Sequence, residues 1–451
     1  MLATANRWTR QVLRQLLRAD VPVPAYDEAE VAAYQERHYR WNFLINFLDG
    51  TFFWIGISFI SGSTILPLFV SKLTDSPLPL ALLAMVAQSS WYLPQLLTAG
   101  PTERLARKKP IVINLGFFTE RLPLWLLPVA ALLSTRWPAA ALMLFFLGYA
   151  AHGLGAGIIA PAWSDLVARC FPVRRRGFAM GVTSFAGTGV GALAAVLSGW
   201  LLANYPFPVN FALTFLLAAL SITISWAVLA LIREPVLPVP EDILRPRGRG
   251  WRKIRHIIAG DHNFRTYLLV RLLGTFGNMG AGFVTVAAIQ RWAVADSTVG
   301  LYTAALLVGQ TLGNLVAGFV ADQKGHKLSL LMGLSGLVLA YLLAWLSPLP
   351  ELYVLVFFLL GGATGIIIVS GILINMEFSR PEHRPTYIGV ANTTVGIGSL
   401  TAPLLGGLLA LVSYNLLFAL TALCALVALV LLTGAVHDPR FQTEYFDAAA
   451  G

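Results

Sequence analysis

The chain has 451 residues, of which 57% are apolar and only 12% carry a charge. Water-soluble domains carry about 25% charged residues, so 32 Lys and Arg with 22 Asp and Glu cannot supply a polar surface for a chain of this length. The composition therefore excludes a soluble protein and predicts a chain that has lipid as its solvent.

The first 41 residues are polar or amphipathic and are predicted to form a cytoplasmic segment. Within them, basic residues recur on one face of a helix over 5–19 and apolar residues on the other. This pattern indicates a helix that lies either on an anionic membrane surface or on loops of the protein itself.

Twelve apolar runs follow, each long enough to cross the hydrocarbon as a helix, which needs about 20 residues. Strands are excluded because the runs are long and none alternates polar with apolar residues. We number the runs as spans 1 to 12, with predicted bounds 42–70, 78–99, 111–133, 138–163, 178–203, 209–232, 265–290, 299–321, 328–347, 351–375, 387–411 and 414–435.

The longest connection, 233–263, separates six spans from six. It predicts an N-terminal bundle over 42–232, a cytoplasmic linker over 233–263, a C-terminal bundle over 264–435 and a cytoplasmic tail over 436–451. The side that holds both termini carries 27 of the 32 basic residues and the opposite side carries three. The positive-inside rule therefore places both termini in the cytoplasm of a plasma membrane, or of the inner membrane in a bacterium, and explains the net charge of +10 without a nucleic acid.

The two halves repeat each other. The sequence Leu48–Gly56 in span 1 recurs as Leu272–Gly280 in span 7 at an offset of 224, and glycine patterns of spans 4 and 5 recur in spans 10 and 11. An acidic residue at a helix end, followed by a basic turn, recurs in the connections after spans 2, 4, 8 and 10, which we call the four cytoplasmic hairpins. Such matches in one order across both halves indicate an internal duplication.

The loop Gly318–Lys327 resembles the loop motif of the major facilitator superfamily, which has a glycine, an acid four residues on and then basic residues. The resemblance covers about residues 40–435. It implies an all-α membrane protein with twelve transmembrane helices in two pseudo-symmetric six-helix bundles, with a central cavity lined by spans 1, 4, 7 and 10.

Charged residues of the four hairpins are predicted to close the cytoplasmic side as a gate, because a carboxylate beside Arg or Lys forms strong charge-assisted hydrogen bonds. We expect the acids of each half to pair with bases of the neighbouring hairpin, and the alternative is a set of ordinary solvated turns. The gate candidates are Glu103, Arg104, Arg107, Asp165, Arg175, Asp322, Lys327, Glu377 and Arg384.

Ionisable residues inside the spans are costly in lipid and are functional candidates by default. Asp49 in span 1 is predicted to couple transport to protons or to bind substrate, or else to pair with a base such as Arg271 in span 7. Glu120 and Arg121 in span 3 need not pair with each other, since α-helical neighbours point about 100° apart. They are expected to have an interhelical structural role, with proton coupling by Glu120 as the alternative.

The segment Tyr149–Ala156 in span 4 is similar to a motif of proton-driven drug antiporters, with Tyr149 in place of its Arg and His152 in place of its Gln. The missing Arg is the residue that the family ties to proton transfer. His152 can titrate near neutral pH, or it can serve as a hydrogen-bonded residue of a close-packed helix.

No phosphate-binding loop, zinc-ligand spacing or Gly-x-Ser-x-Gly turn occurs in the sequence. We therefore predict no enzyme activity, no cofactor and no metal. The predicted function is secondary transport of a small organic solute, with protons as the candidate coupling ion and export of an amphipathic compound favoured. Uptake or facilitated diffusion of a sugar-like solute and a non-transporting receptor or scaffold are the alternatives. The lipid bilayer is the other partner, and the chain is predicted to be monomeric.

Overall fold

The computed structural model describes residues 11, 15–18, 21–23, 28–239, 260–378 and 384–439. These residues form helices and connecting turns, and no strand occurs among them. The all-α class is confirmed. The predicted helix over 5–19, the 233–263 linker and the 436–451 tail lie largely outside the described residues.

Eight spans are continuous helices, and their ends lie within seven residues of the predicted bounds. Ten stretches within the described part of the chain are long and apolar enough to cross a membrane. The continuous helices are Pro138–Cys170, Val173–Asn204, Val209–Leu229, Asp296–Lys324, His326–Leu346, Leu352–Glu377, Arg384–Val412 and Tyr414–Gly434.

Spans 1 and 2 are interrupted, although each was predicted as one run. Span 1 consists of Glu28–Phe59 and the short helix Ile65–Ser71. The break contains Ser, Gly and Thr. The hydroxyls of Ser and Thr compete for the backbone hydrogen bonds of a helix, and glycine adds backbone flexibility. Span 2 consists of Pro77–Ser89 and Leu93–Glu103, with a proline in the first turn of its second helix. Proline lacks an N–H and crowds the carbonyl four residues earlier, so the preceding helix ends there.

Spans 3 and 7 also depart from a uniform helix. Span 3 begins with the π-helical segments Ile111–Leu115 and Phe117–Arg121 and continues as the α-helices Leu122–Leu124 and Leu126–Leu133. Span 7 consists of His262–Phe276, a 3₁₀ turn at Ala281–Phe283 and the helix Val284–Trp292. A Cβ at Gly277, where its first helix ends, would lie 2.8 Å from Cα of Ala425 in span 12, so glycine permits the close approach there.

The chain groups into two compact units. Unit 1 is drawn from Met1–Ile60, Ser90–Gly191 and Pro206–Arg247, and unit 2 from Ser61–Ser89, Ala192–Tyr205 and Gly248–Gly451. Unit 2 therefore includes parts of spans 1, 2 and 5 as well as the described second half. The two units do not coincide with the two predicted bundles, which the 233–263 linker separates. The division into those bundles remains a prediction from span order and repeats.

Unit 1 has an apolar core near its predicted cytoplasmic end. The first π segment of span 3, the end of span 4 around Leu166 and Phe171, and the end of span 6 around Leu229 pack together there. Phe171 and Leu166 are fully buried. The core holds the start of span 3 against span 4, and this contact positions the polar residues that follow in span 3.

Candidate functional site

A buried polar cluster lies inside unit 1, and we define it as Asp49, Glu120, Arg121, His152 and Ser225. These residues come from spans 1, 3, 4 and 6, and each is less than a tenth exposed. Four of the five are the ionisable residues singled out in the first half of the sequence. Ser225 carries no charge, and no pattern in the sequence distinguishes it.

A hydrogen bond from another span holds Asp49. The hydroxyl of Ser225 donates to Oδ1 of Asp49 across 2.6 Å. Arg121 is close enough to Asp49 to interact with it electrostatically. Asp49 is thus a buried carboxylate with one neutral donor and a guanidinium in its vicinity.

Glu120 and Arg121 form an ion pair with each other, whereas the angle between α-helical neighbours favoured separate interhelical partners. The reason lies in the local backbone, since both residues end the π-helical segment Phe117–Arg121. A π turn contains more residues than an α turn, so consecutive side chains are separated by a smaller angle. Arg121 Nε is buried, and no hydrogen-bond partner for it occurs among the described residues.

His152 binds the backbone of the same segment. Its Nδ1 lies 2.9 Å from the carbonyl oxygen of Glu120, which identifies Nδ1 as the protonated nitrogen that donates. Span 4 comes this close because Gly155 has no side chain: a Cβ there would overlap the carbonyl group of Thr119. His152 therefore fixes the position of the π segment.

The cluster has an uneven charge balance. With both carboxylates ionised and His152 neutral, it holds two negative charges and one positive charge. Uptake of one proton makes it neutral, and buried net charge is unfavourable in the low-dielectric interior of a membrane. Because Glu120 already offsets Arg121, Asp49 is the carboxylate whose charge lacks an adjacent counterion.

A second charged group, the loop cluster, lies on the side predicted to be cytoplasmic and consists of Lys108, Asp165, Arg169 and Glu234. Arg169 donates to both oxygens of Asp165, across 3.2 Å and 3.0 Å. Lys108 Nζ lies 3.3 Å from Asp165 and is almost fully buried. Of these four residues, only Asp165 was among the gate candidates. The i, i+4 spacing of Asp165 and Arg169 is a sequence signal for that pair.

Glu234 joins the loop between spans 2 and 3 to the end of span 6. Its two carboxylate oxygens accept hydrogen bonds from the backbone N–H groups of Lys108 and Lys109, across 2.7 Å and 3.0 Å. Burial raises the pKa of Glu234, and the two backbone donors oppose that change. Burial, together with the nearby Arg169, lowers the pKa of Lys108.

We expect replacement of Glu234 by alanine to destabilise unit 1, because it leaves the backbone N–H groups of Lys108 and Lys109 without their acceptor. Such a loss costs about 1–3 kcal/mol for each buried group. The measurement is the free energy of unfolding in mixed micelles, titrated with dodecyl sulfate. Glu36→Ala is the control, since Glu36 pairs with Arg175 at side-chain exposures of 57% and 51%. An exposed pair of this kind contributes about 0–1 kcal/mol. Equal losses in both variants would contradict the assignment.

Other gate candidates of the first half have different partners from those expected. Arg107 donates to the backbone carbonyls of Val21 and Pro22, both across 2.7 Å. Arg175 pairs with Glu36 across 3.3 Å, and Arg104 is exposed. The pairing of Arg107 and Arg175 with Asp165 is therefore absent from the described contacts, in which Lys108 and Arg169 neutralise that acid.

In the second half, Glu377 lies 3.8 Å from Nε2 of His326, and Lys327 donates to the carbonyl of Thr433 across 3.2 Å. Lys327 was expected to pair with Glu377, but His326, which comes directly before it at the start of span 9, lies beside that acid instead. Glu103, Asp322 and Arg384 belong to helices, but their side chains lie outside the described structure.

A set of contacts that we call the outer seam lies within unit 2, on the side opposite the predicted cytoplasm. It joins the ends of spans 1 and 5 to the first turns of span 8. Its contacts are the 2.8 Å ion pair of Lys72 and Asp296, the 2.5 Å hydrogen bond of Thr64 and Thr303, and the backbone approach of Gly199 and Gly300. Thr303 donates to the carbonyl of Val299, so Thr64 is the donor between the two hydroxyls.

Comparison with known proteins agrees with this architecture. A family model described as Major Facilitator Superfamily matches residues 43–292 and 267–451. The chain is similar to solute carrier family 67 member A1 of Homo sapiens, with 35% identity over 22% of this chain and 24% of that protein. It is also similar to multidrug resistance protein 1 of Bacillus subtilis (strain 168), with 25% identity over 40% of this chain and 46% of that protein.

These sequence matches span less than half the length of the curated relatives. Similarity to solved structures extends over nearly the whole fold. A D-xylose-proton symporter superposes with a TM-score of 0.65 at 14% identity, covering 88% of this chain and 98% of that one. At this identity the likeness concerns the fold alone.

Proposed function

The chain belongs to the Major Facilitator Superfamily, and from this membership we propose that it is a secondary transporter that moves a small organic solute by alternating access. The protein is a multi-pass membrane protein. Protons are the proposed coupling ion, and the proposed direction is export of an amphipathic compound. The similarity to a protein named for multidrug resistance supports a small organic solute.

The buried polar cluster is the observation that carries proton coupling. It places an ionisable side chain of span 1 beside a hydroxyl of span 6 and near an ion pair of span 3. A transporter that exchanges protons for solute needs a group that is shielded in one state and open to water in another. Asp49 fits this role because one proton removes the excess charge of the cluster.

The outer seam supports alternating access. It joins segments that are far apart in sequence through contacts of different kinds, and this arrangement suits a gate that closes and reopens. We propose that the outer seam is the extracellular gate and that the loop cluster belongs to the cytoplasmic gate, in which Asp165 and the other gate candidates act.

A proteoliposome assay tests the proposal. Purified full-length protein is reconstituted, and uptake of a panel of labelled cations, anions, neutral amphiphiles and sugars is measured with and without an imposed pH gradient. We expect accumulation of an amphipathic solute that collapses when a protonophore dissipates the gradient. Flux of a sugar that is independent of pH would instead favour a facilitator, and no flux with any solute would favour a receptor or scaffold.

The proposed topology places both termini and the 233–263 linker in the cytoplasm of the plasma membrane, as the distribution of basic residues predicts. In a variant that lacks Cys170 and Cys424, we expect Gly248→Cys to react with a membrane-impermeant maleimide only after the cells are permeabilised. Arg136→Cys, between spans 3 and 4, is the outside control and should react in intact cells. Labelling of position 248 in intact cells would overturn the topology.

A further inference from the structure

Arg271 in span 7 is an intramembrane arginine that has no carboxylate partner within the described part of the chain. It lies nine residues after His262, about 14 Å along the helix at 1.5 Å per residue. Among the described residues, no acid forms an ion pair with it. Its Nε is buried and has no hydrogen-bond partner in the part of the chain that the structure describes. Arg121 in unit 1, by contrast, is neutralised by Glu120.

The guanidinium group lies against a glycine of span 10. A Cβ on Gly371 would come within 2.5 Å of Arg271 Nη1 and 3.0 Å of its Cζ. Glycine at this position therefore leaves the guanidinium the space that a Cβ would occupy. Spans 7 and 10 run in opposite directions through the membrane.

Two further buried polar groups lie one turn from this contact. Tyr267 precedes Arg271 by four residues on span 7, and Asn375 follows Gly371 by four residues on span 10. Because the two spans are antiparallel, these positions lie at the same level. Tyr267 is 0% exposed and Asn375 is 1% exposed. The Tyr267 hydroxyl and the Asn375 Oδ1 have no hydrogen-bond partner in the described structure.

On the side toward the predicted cytoplasm, the ring of Tyr267 packs against another aromatic ring. The ring of Tyr267 lies 4.8 Å from that of Phe378 at the end of span 10, measured between centroids. Packing therefore holds the Tyr267 ring, while no described residue forms a hydrogen bond with its hydroxyl. Buried polar groups are normally hydrogen-bonded, so several unsatisfied groups around one unpaired cation indicate a site for a ligand rather than a packed core.

We propose that Arg271, Tyr267 and Asn375 form a subsite in unit 2 for the anionic group, carboxylate or phosphate, of an amphipathic solute. The guanidinium fork matches both groups in geometry. The Tyr267 hydroxyl supplies a further donor. Asn375 Oδ1 accepts from a hydroxyl or N–H of the same ligand. This subsite rests on the proposed transport function, since it names the class of solute carried.

Binding is measured on purified full-length protein in neutral maltoside micelles, where transport is not needed. The probes have one chain length and different head groups: octanoate, octyl phosphate, octyltrimethylammonium and octanol. We expect at least one anionic probe to bind roughly 10-fold or more tightly than the cationic and neutral probes. Arg271→Gln should weaken that binding by roughly 10- to 100-fold, as expected for loss of hydrogen bonds to a charged group. Binding of octanol should not change.

Three variants separate recognition from folding. Arg271→Lys keeps the charge but not the fork and should recover part of the affinity. Tyr267→Phe should weaken anion binding a few-fold while the ring contact with Phe378 is kept. Arg136→Gln, on the outer side of the membrane, is the control and should bind all probes as the wild type does. Each variant is also checked for a monodisperse elution profile, so that misfolded variants are excluded from the comparison of affinities.

Equal affinity of the wild type for the anionic and cationic probes would overturn the proposal, as would unchanged anion binding in a folded Arg271→Gln protein. If affinity for octyl phosphate falls when phosphatidylglycerol, but not phosphatidylcholine, is added to the micelles, the anion is a lipid head group and the solute assignment is wrong. Selective binding without flux in proteoliposomes would leave the subsite intact and refute the transport function. Flux without head-group selectivity would refute the subsite and leave the transport function intact.

Discussion

Replacement of Asp49 by asparagine is expected to abolish proton-driven accumulation of solute while exchange or downhill flux persists. Asparagine has nearly the same shape and can still accept the hydrogen bond from Ser225, which spans 2.6 Å in the wild type. It cannot gain or lose a proton between pH 5 and 8. The coupling between the pH gradient and solute accumulation is therefore lost. The substitution leaves no cavity in the packing, because the two side chains have nearly the same volume. The measurement is the steady-state accumulation ratio in proteoliposomes with a pH gradient.

Ser225→Ala is the matched control for this prediction. It removes the hydrogen bond to Asp49 and keeps the carboxylate, so accumulation should continue with a shifted pH profile. Full concentrative transport in Asp49→Asn with an unchanged pH profile would exclude Asp49 and transfer the coupling role to Glu120. Substitution of Glu120 alone is a poor test of its coupling role, because breaking a buried ion pair costs about 3–5 kcal/mol and endangers folding.

Replacement of Gly300 by alanine is expected to hold the outer seam open. A Cβ at this position would overlap the backbone of Gly199 and lie 2.7 Å from the carbonyl of Ala195. Backbone atoms of a neighbouring helix cannot turn aside as a flexible side chain can. Overpacking of this kind costs about 1–3 kcal/mol, which corresponds to a shift of roughly 10-fold in the ratio of open to closed protein.

The measurement is the rate at which an impermeant maleimide labels Thr303→Cys from outside, in a background without Cys170 and Cys424. We expect Gly300→Ala to raise this rate roughly 10-fold and to slow transport. Gly189→Ala in span 5 is the control, because a Cβ there meets nothing within 4 Å. A labelling rate in Gly300→Ala equal to that of the control would contradict the role of the seam.

The contacts of the outer seam differ in the free energy that they contribute to closure. Lys72 and Asp296 are 36% and 25% exposed in their side chains. An ion pair with that access to water contributes about 0–1 kcal/mol. The approach of Gly199 to Gly300 is therefore expected to govern closure, and the ion pair to adjust it.

The sequence alone determined the class of protein, the number and order of the spans and the residues that carry buried charge. Hydrocarbon thickness sets the length of an apolar run, and the cost of charge in lipid makes each intramembrane acid or base conspicuous. Asp49, Glu120, Arg121 and His152 were recognised in this way, and all are buried in the structure. Family membership followed from the duplicated pattern and the loop Gly318–Lys327, because both are local features of the chain.

Only the tertiary structure decided which residues meet. Ser225 is one serine among many in the sequence, and its role exists because span 6 packs against span 1 at Asp49. The pairing of Glu120 with Arg121 depends on a π-helical turn, and the partners of Asp165 depend on how the loop at Lys108 folds over span 4. The contact of Gly199 with Gly300 and that of Arg271 with Gly371 join residues about 100 positions apart. Such contacts arise from the geometry of helix packing, which hydropathy and residue spacing along one chain do not encode.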